Sequence, residues 1–93
     1  MYAIIIPNSV KKDLKKLDKL VIKKIIDCLE TLSQNPTSGI PLSGNLSDLR
    51  RLKIHHQKTE YRIVYRVIND RIEIHILHVG TRENLYEELK RRL

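Results

Sequence analysis

The chain has 93 residues, enough for one small domain with a modest core, so residues 1–93 are predicted to form a single domain. It contains 18 Lys and Arg against 11 Asp and Glu, and the net charge of +7 favours a polyanion or an acidic protein as partner. The single cysteine excludes an internal disulfide, and no apolar run approaches the roughly 20 residues of a membrane span. We therefore expect a cytoplasmic protein without a membrane partner.

The N-terminal third of the chain predicts a strand followed by a helical hairpin. Residues 2–6 are rich in β-branched side chains, and Pro7 ends the strand because proline cannot donate to a strand ladder. Two apolar stripes at helical spacing follow, with a break near Asp18 and lysines around the first stripe. The stripes are Val10, Leu14, Leu17 and Val21, then Ile22, Ile25, Ile26, Leu29 and Leu32. Two amphipathic helices with a basic outer surface are expected to pack on one face of a sheet.

The next segment, from Ser33 to Asp48, predicts loop or short turns because it holds two of the three glycines and two of the three prolines. Its two glycines have the spacing Gly-x-x-x-x-Gly. The Lys-Ser/Thr of a phosphate-binding loop does not follow them, and the segment does not lie between a strand and a helix. A nucleotide-binding loop is therefore excluded here.

Residues 49–82 predict a three-stranded antiparallel meander. Its runs are LRRLKI, YRIVYRV and RIEIHILHVGTR, separated by short polar breaks. Alternate residues of a strand point to opposite faces, so Arg51, Lys53 and His55 share one face of the first run. Arg62 and Arg66 likewise share one face of the second. One face of the sheet can therefore be apolar while the other carries cations.

The predicted fold is α+β, with an N-terminal strand, a helical hairpin, the meander and a C-terminal helix over Glu83–Leu93. Four strands are predicted, near 2–6, 49–55, 60–68 and 71–79, in a mainly antiparallel sheet. Leu85, Leu89 and also Tyr86 are expected on the inner side of the last helix.

Several short motifs follow one another between residues 35 and 86. They are Asn35-Pro36, Gly39, Pro41-Leu42-x-Gly44-x-Leu46, Leu49 to Ile54, Tyr61 to Val67, Val79-Gly80-x-Arg82-Glu83, and Tyr86. In this order they resemble the RelE/ParE superfamily of toxins from type II toxin–antitoxin systems. The resemblance covers nearly the whole chain, and YRIVYRV followed by VGxRExxY at this distance is its most specific part.

The resemblance implies a compact toxin encoded with a cognate antitoxin, expected to be an acidic or amphipathic segment that folds on binding. The RelE-like branch cleaves mRNA in the ribosomal A site without a metal, and we favour this activity, with the ribosome and mRNA as partners and no cofactor. The ParE-like branch shares the scaffold but inhibits DNA gyrase, and it is the alternative. A degenerate member that acts only as a binding module is a third possibility.

The resemblance also carries the catalytic positions of the family onto Lys53, Arg62, Arg82 and Tyr86. Metal-free cleavage needs a base for the ribose 2′-OH and cations for the charge that develops on the phosphate. The two arginines suit charge stabilisation, and Tyr86 can stack on a nucleobase or hydrogen-bond the 2′-OH. Lys53 can act as the base only if neighbouring cations favour its neutral form.

Arg51, His55 and Arg66 are predicted to bind RNA phosphates. Where the closest RelE-type pattern has a lysine this chain has Arg51, which argues against a mechanism with two lysine bases. His55 or His78 could also take part in acid–base chemistry, and the sequence leaves this open. No metal site is predicted, because neither a cysteine pair nor an acidic cluster accompanies the histidines.

Overall fold

A computed structural model describes residues 1–83 and 85–93 of the chain. In chain order the strands and α-helices are β1 (Ala3–Ile5), α1 (Asn8–Lys15), α2 (Lys19–Gln34), β2 (Ile40–Pro41), β3 (Leu49–His56), β4 (Thr59–Ile68), β5 (Glu73–Gly80) and α3 (Leu85–Arg92), and short 3-10 helices lie at Gly44–Leu46 and Asn69–Arg71. The predicted fold class and element order are confirmed. The helix predicted over Glu83–Leu93 includes Asn84, which lies outside the described residues.

Within the described residues the strands form one five-stranded sheet with the order β1-β5-β4-β3-β2. β1 runs parallel to β5, and the other neighbouring pairs are antiparallel. The four predicted strands are present, with ends within about two residues of the prediction.

The prediction of four strands is wrong, because Ile40–Pro41 forms a fifth strand inside the segment predicted as loop. Ile40 pairs with Arg51 and Pro41 with Arg50, at the edge of the sheet. Proline is tolerated at an edge, where its missing N–H removes no ladder bond. A strand of two residues shows no periodicity in the sequence, so only its long-range pairing reveals it.

The larger core lies between α1, α2 and one face of the sheet. Asp18 begins α2 by accepting a hydrogen bond from the backbone N–H of Leu20 at 3.3 Å, and this places the predicted helix break. The buried residues are Val10, Val21, Ile25, Leu29 and Leu32 from the helices, and Ile63, Tyr65, Ile74, Ile76 and Val79 from the sheet. Ile26, predicted as part of the apolar stripe, is instead 48% exposed.

A second, smaller core lies on the opposite face of the sheet, beneath α3. Leu85 and Leu89 of α3 pack with Leu49 of β3, Val64 of β4 and Leu42, which follows β2. The predicted cationic face is therefore apolar at its middle. This packing fixes α3 across the strands and positions the residues at its N-terminal end.

The helices of the described residues are all too short or too polar to cross a membrane.

Candidate active site

A pocket of about 320 Å³ opens on the α3 side of the sheet, where β3, β4, the loop after β5 and the start of α3 meet. Arg51, Arg62, Arg82 and Tyr86 line it, and the segment Pro41–Ser43 completes its wall. The structure thus brings together three of the four predicted catalytic residues and one predicted phosphate-binding residue.

Arg51 and Arg62, the two pocket arginines that lie on strands, differ in their distance from the edge of the sheet. Arg51 pairs in register with Val64 of the smaller core on one side and with Ile40 of β2 on the other. Arg62 lies on the central strand β4, between Lys53 of β3 and Gly80 of β5, and only 10% of its side chain is exposed. A buried guanidinium needs hydrogen-bonding partners, so the partners of Arg62 decide how it presents its charge.

The turn that follows β5 positions Arg82 and Tyr86 at the pocket. Gly80 ends the strand with a φ of 155°, a conformation that side-chain-bearing residues rarely adopt. The carbonyl of Arg82 then accepts a hydrogen bond from the N–H of Leu85 at 3.0 Å. Tyr86 is 50% exposed, so the expectation that it faces inward is wrong. Its ring is available for stacking.

The Pro41–Ser43 wall is held by buried Tyr65, which lies on the other face of the sheet. The Tyr65 hydroxyl accepts a hydrogen bond from the N–H of Gly39 at 2.9 Å and donates one to the carbonyl of Pro36 at 2.9 Å. A Cβ at residue 39 would lie 2.5 Å from this hydroxyl, so only glycine fits. The motif residues Pro36 and Gly39 thus fix the path of the chain into β2 and the wall.

Lys53 and His55 lie beside the pocket and share a carboxylate. Glu60 Oε2 is 3.1 Å from Arg62 Nε, and Glu60 Oε1 lies 3.3 Å from His55 Nε2 and 3.9 Å from Lys53 Nζ. The hydrogen bond from Arg62, with the attraction of Lys53, Arg62 and His55, holds the pKa of the Glu60 carboxyl below its usual value. Lys53 therefore has an anion, the Glu60 carboxylate, as well as cations among its neighbours.

Sequence reasoning missed Glu60, although strand periodicity could have found it. Glu60 and Arg62 are separated by one residue on β4, so they share a face, and Glu60 pairs in register with His55. The expected chemistry requires cations and a base but no carboxylate, so it does not point to Glu60.

Arg66, predicted to bind phosphate, lies apart from the pocket. Its Nε is 3.2 Å from Asp48 Oδ2, and it lines a separate groove with Arg71 and His75. Val64 separates it from Arg62 on the same face of β4 and is covered by α3. A phosphate-binding role for Arg66 stays a prediction, at a place distinct from the pocket.

His78 also lies outside the pocket and is 6% exposed. Neither of its buried ring nitrogens has a hydrogen-bond partner within the described residues. Burial lowers its pKa, so the neutral imidazole is favoured. Among the described residues, no group of three or more His, Cys, Asp or Glu side chains is arranged to hold a metal ion.

The arrangement is suited to binding a phosphate between several fixed cations. Guanidinium groups form paired hydrogen bonds to phosphate oxygens, and an exposed tyrosine gives a nucleobase a surface for stacking. The described residues that line the pocket include three arginines and one tyrosine, and none of them carries a carboxylate. The pocket can therefore hold a phosphate group and offer an aromatic ring for stacking.

Comparisons with known proteins identify the family. A family model described as the ParE-like toxin of type II bacterial toxin–antitoxin systems matches residues 4–90. No curated protein sequence matches the chain.

Several solved structures share its fold. A double arginine-to-alanine mutant of the E. coli toxin RelE in the free state has a TM-score of 0.82 at 24% identity, covering 99% of this chain and 97% of that chain. The toxin–antitoxin complex RelBE2 of Mycobacterium tuberculosis gives 0.71 at 25% identity, covering 87% and 91%. The archaeal RelE–RelB complex of Pyrococcus horikoshii gives 0.67 at 25% identity, covering 88% and 96%. The chain therefore belongs to the ParE-like toxins of type II toxin–antitoxin systems, within the RelE/ParE superfamily.

Proposed function

We propose that this toxin is a ribosome-dependent, metal-independent endoribonuclease that cleaves mRNA and so inhibits translation. The observation that carries the proposal is the meeting of Arg51, Arg62, Arg82 and Tyr86 around one pocket. These four residues come from β3, β4, the loop after β5 and α3, so four separate parts of the fold contribute to the site.

In the proposed reaction the ribose 2′-oxygen attacks the adjacent phosphorus, and the bond from phosphorus to the 5′-oxygen breaks. The products are a 2′,3′-cyclic phosphate and a 5′-hydroxyl, so the 2′-OH gives up one proton and the leaving oxygen gains one. Arg62 and Arg82 stabilise the additional charge on the phosphate, because guanidinium groups stay protonated throughout the physiological range. Arg82 is assigned to the side of the leaving oxygen.

Lys53 is the proposed acceptor of the 2′-OH proton. It pairs in register with Arg62 on the neighbouring strand and shares its face of the sheet, which places its amine near the guanidinium assigned to the phosphate. Tyr86 is proposed to stack on a nucleobase and to orient the 2′-OH. His55 and Arg51 are proposed to bind flanking phosphates.

The proposed partner that silences the toxin is a cognate antitoxin. In the M. tuberculosis and P. horikoshii structures the related toxin is in complex with its antitoxin. An acidic or amphipathic segment of such a protein complements the net charge of +7 of this chain. Such a segment, disordered when alone, can wrap over the helices and the cationic face.

The experiment is to add the purified toxin to ribosomes programmed with a defined mRNA and to map the new ends. We expect codon-phased cuts that require translation, with 5′-hydroxyl and 2′,3′-cyclic phosphate ends. The same mRNA carrying a single 2′-deoxy nucleotide on the 5′ side of the cut should resist cleavage there, since the attacking group is missing. Cleavage of that deoxy mRNA at the same bond would contradict attack by the 2′-OH.

The alternative, inhibition of DNA gyrase, is kept because the matching family model carries the ParE name. It is tested with the same preparation in a gyrase supercoiling assay. Intact mRNA together with loss of supercoiling would replace the nuclease proposal by the gyrase one.

A further inference from the structure

Glu60 lies at the centre of a cluster of cations that adjoins the pocket. It accepts the Nε–H of Arg62 at 3.1 Å, while its other oxygen is 3.3 Å from His55 and 3.9 Å from Lys53. The two cross-strand pairs His55–Glu60 and Lys53–Arg62 follow one another on the same face of the β3–β4 ladder, with the pair Ile54–Tyr61 between them on the opposite face. One hairpin thus holds a carboxylate together with an arginine, a lysine and an imidazole.

We propose that Glu60 is the positioning residue of the cationic site, where it fixes the guanidinium of Arg62 for catalysis and at the same time weakens the binding of RNA phosphates. This inference rests on the proposed nuclease function. The Glu60 carboxylate accepts a hydrogen bond from the Nε–H of Arg62. Within the described residues, neither Nη group of Arg62 forms a hydrogen bond. Arg62 lines the pocket, so the Nη groups are the ones left for a phosphate.

The burial of Arg62 distinguishes this contact from an ordinary surface ion pair. Exposed pairs contribute little because solvent screens them, but the Arg62 side chain is only 10% exposed. A guanidinium without its carboxylate would be free to rotate about its side-chain bonds, and small misalignments of a catalytic group lower the rate strongly. The fixed orientation is therefore the contribution that Glu60 makes to the rate.

The negative charge of Glu60 has the opposite effect on affinity. It lies within 3.9 Å of Lys53 and closer to His55 and Arg62, so it offsets part of the charge that attracts RNA. Removing the Glu60 carboxylate leaves one more cation available to pair with an RNA phosphate. The salt dependence of binding to single-stranded RNA should then steepen by about 0.7 in the slope of log K against log salt.

The test compares Glu60→Ala and Glu60→Gln with Glu73→Gln in the full-length toxin. Glu73 is the matched control because its carboxylate contacts an imidazole, that of His75 at 2.9 Å, on β5 and away from Arg62. Three quantities are measured: the single-turnover cleavage rate on saturated programmed ribosomes, the affinity for a fluorescent single-stranded RNA at several salt concentrations, and hydrogen exchange of the Arg62 Nε–H by ¹⁵N NMR.

Glu60→Ala should lower the cleavage rate by about 10- to 100-fold, tighten RNA binding, and speed exchange of the Arg62 Nε–H. Glu60→Gln should tighten binding to the same extent yet keep most of the rate, because its amide oxygen still accepts from Arg62. Glu73→Gln should leave the rate and the Nε–H exchange unchanged. A merely structural role would not separate rate from affinity in this way.

Wild-type rate and exchange in Glu60→Ala would overturn the inference, as would equal losses of rate and affinity in both Glu60 variants. If no form of the toxin cleaves RNA, the proposed function fails, and the Nε–H exchange and the salt dependence still decide the role of Glu60. Unchanged exchange and an unchanged salt slope would then reject it.

Discussion

Arg92 at the end of α3 forms a two-point ion pair with Asp13 of α1, with Nη1–Oδ2 at 2.8 Å and Nη2–Oδ1 at 3.0 Å. Arg92 also donates to the carbonyl of Leu77 at 2.9 Å, and Asp13 accepts from the N–H of Val79 at 3.5 Å. β1 pairs with residues 73–75 of β5, so it does not cover the later part of that edge of β5. There the side chains of Arg92 and Asp13 form hydrogen bonds to backbone groups of Leu77 and Val79. The pair joins the helices on opposite faces of the sheet and anchors the helix that carries Tyr86.

Breaking this pair should destabilise the fold. We expect Arg92→Ala to lower the free energy of unfolding by about 2–4 kcal/mol, because it leaves the mostly buried carboxylate of Asp13 without its ion-pair partner. Asp13→Ala should cost less, about 1–3 kcal/mol, because Arg92 keeps its ion pair with Glu88 at 3.1 Å. In a double-mutant cycle by urea denaturation the coupling energy should be about 1–3 kcal/mol. Arg91→Ala, which removes an exposed arginine from the same helix, should change stability by less than about 0.5 kcal/mol. Additive losses would show that the two side chains do not act together.

Much of the site could be predicted because it lies on strands. The period of two places Arg51 and Lys53 on one face of β3, and the β3–β4 register then brings Arg62 opposite Lys53. The ion pair between Asp13 and Arg92 could not be predicted in this way. Its partners lie on different helices, far apart in sequence, and their meeting depends on how both helices pack on the sheet.

The position of α3 also escaped prediction. Helical periodicity shows that Leu85 and Leu89 face a core, but it does not show which one. Val64 shares its strand face with Arg62 and Arg66, and Leu49 shares its face with other cations, so the apolar patch beneath α3 appears only when both strands are paired. That patch is what separates Arg66 from the pocket.

The hydroxyl of Tyr65 is predicted to stabilise the wall of the pocket. Tyr65→Phe removes a fully buried hydroxyl and leaves the N–H of Gly39 and the carbonyl of Pro36 unpaired. We expect a loss of about 1–3 kcal/mol in the free energy of unfolding, measured by urea denaturation. Tyr2→Phe is the control, since its hydroxyl donates a hydrogen bond to Asn69 on the exposed surface. An equal effect of the two substitutions would contradict this account.

His78 is predicted to make stability depend on pH. Burial lowers its pKa in the folded state, while the unfolded chain takes up a proton near pH 6.5. The unfolded state therefore binds more protons below about pH 6.5, and stability falls as the pH drops through this window. Asp13, Glu88 and Arg92 are the charged groups whose fields act on this imidazole.

Thermal unfolding of wild type and His78→Gln between about pH 3.5 and pH 8 tests this dependence, and the variant should show the flatter profile between about pH 5 and pH 7. The pKa of the Glu60 carboxyl is lowered in the folded state, so its contribution is present above about pH 4.5 and disappears in more acidic solution. Both proteins should therefore keep the same decline at lower pH. Parallel profiles over the whole range would contradict a role for His78.

Arg82→Ala is predicted to separate catalysis from binding. If Arg82 stabilises charge that develops only as the phosphate is attacked, its loss should lower the single-turnover cleavage rate by about 10²–10³-fold, or about 3–4 kcal/mol of transition-state stabilisation. Affinity for the ribosome should change far less. The comparison is Lys15→Ala, which removes one positive charge from the exposed surface of α1. That change should weaken association in a salt-dependent way and leave the rate on saturated complexes nearly intact. Full cleavage by Arg82→Ala would remove this residue from the proposed mechanism.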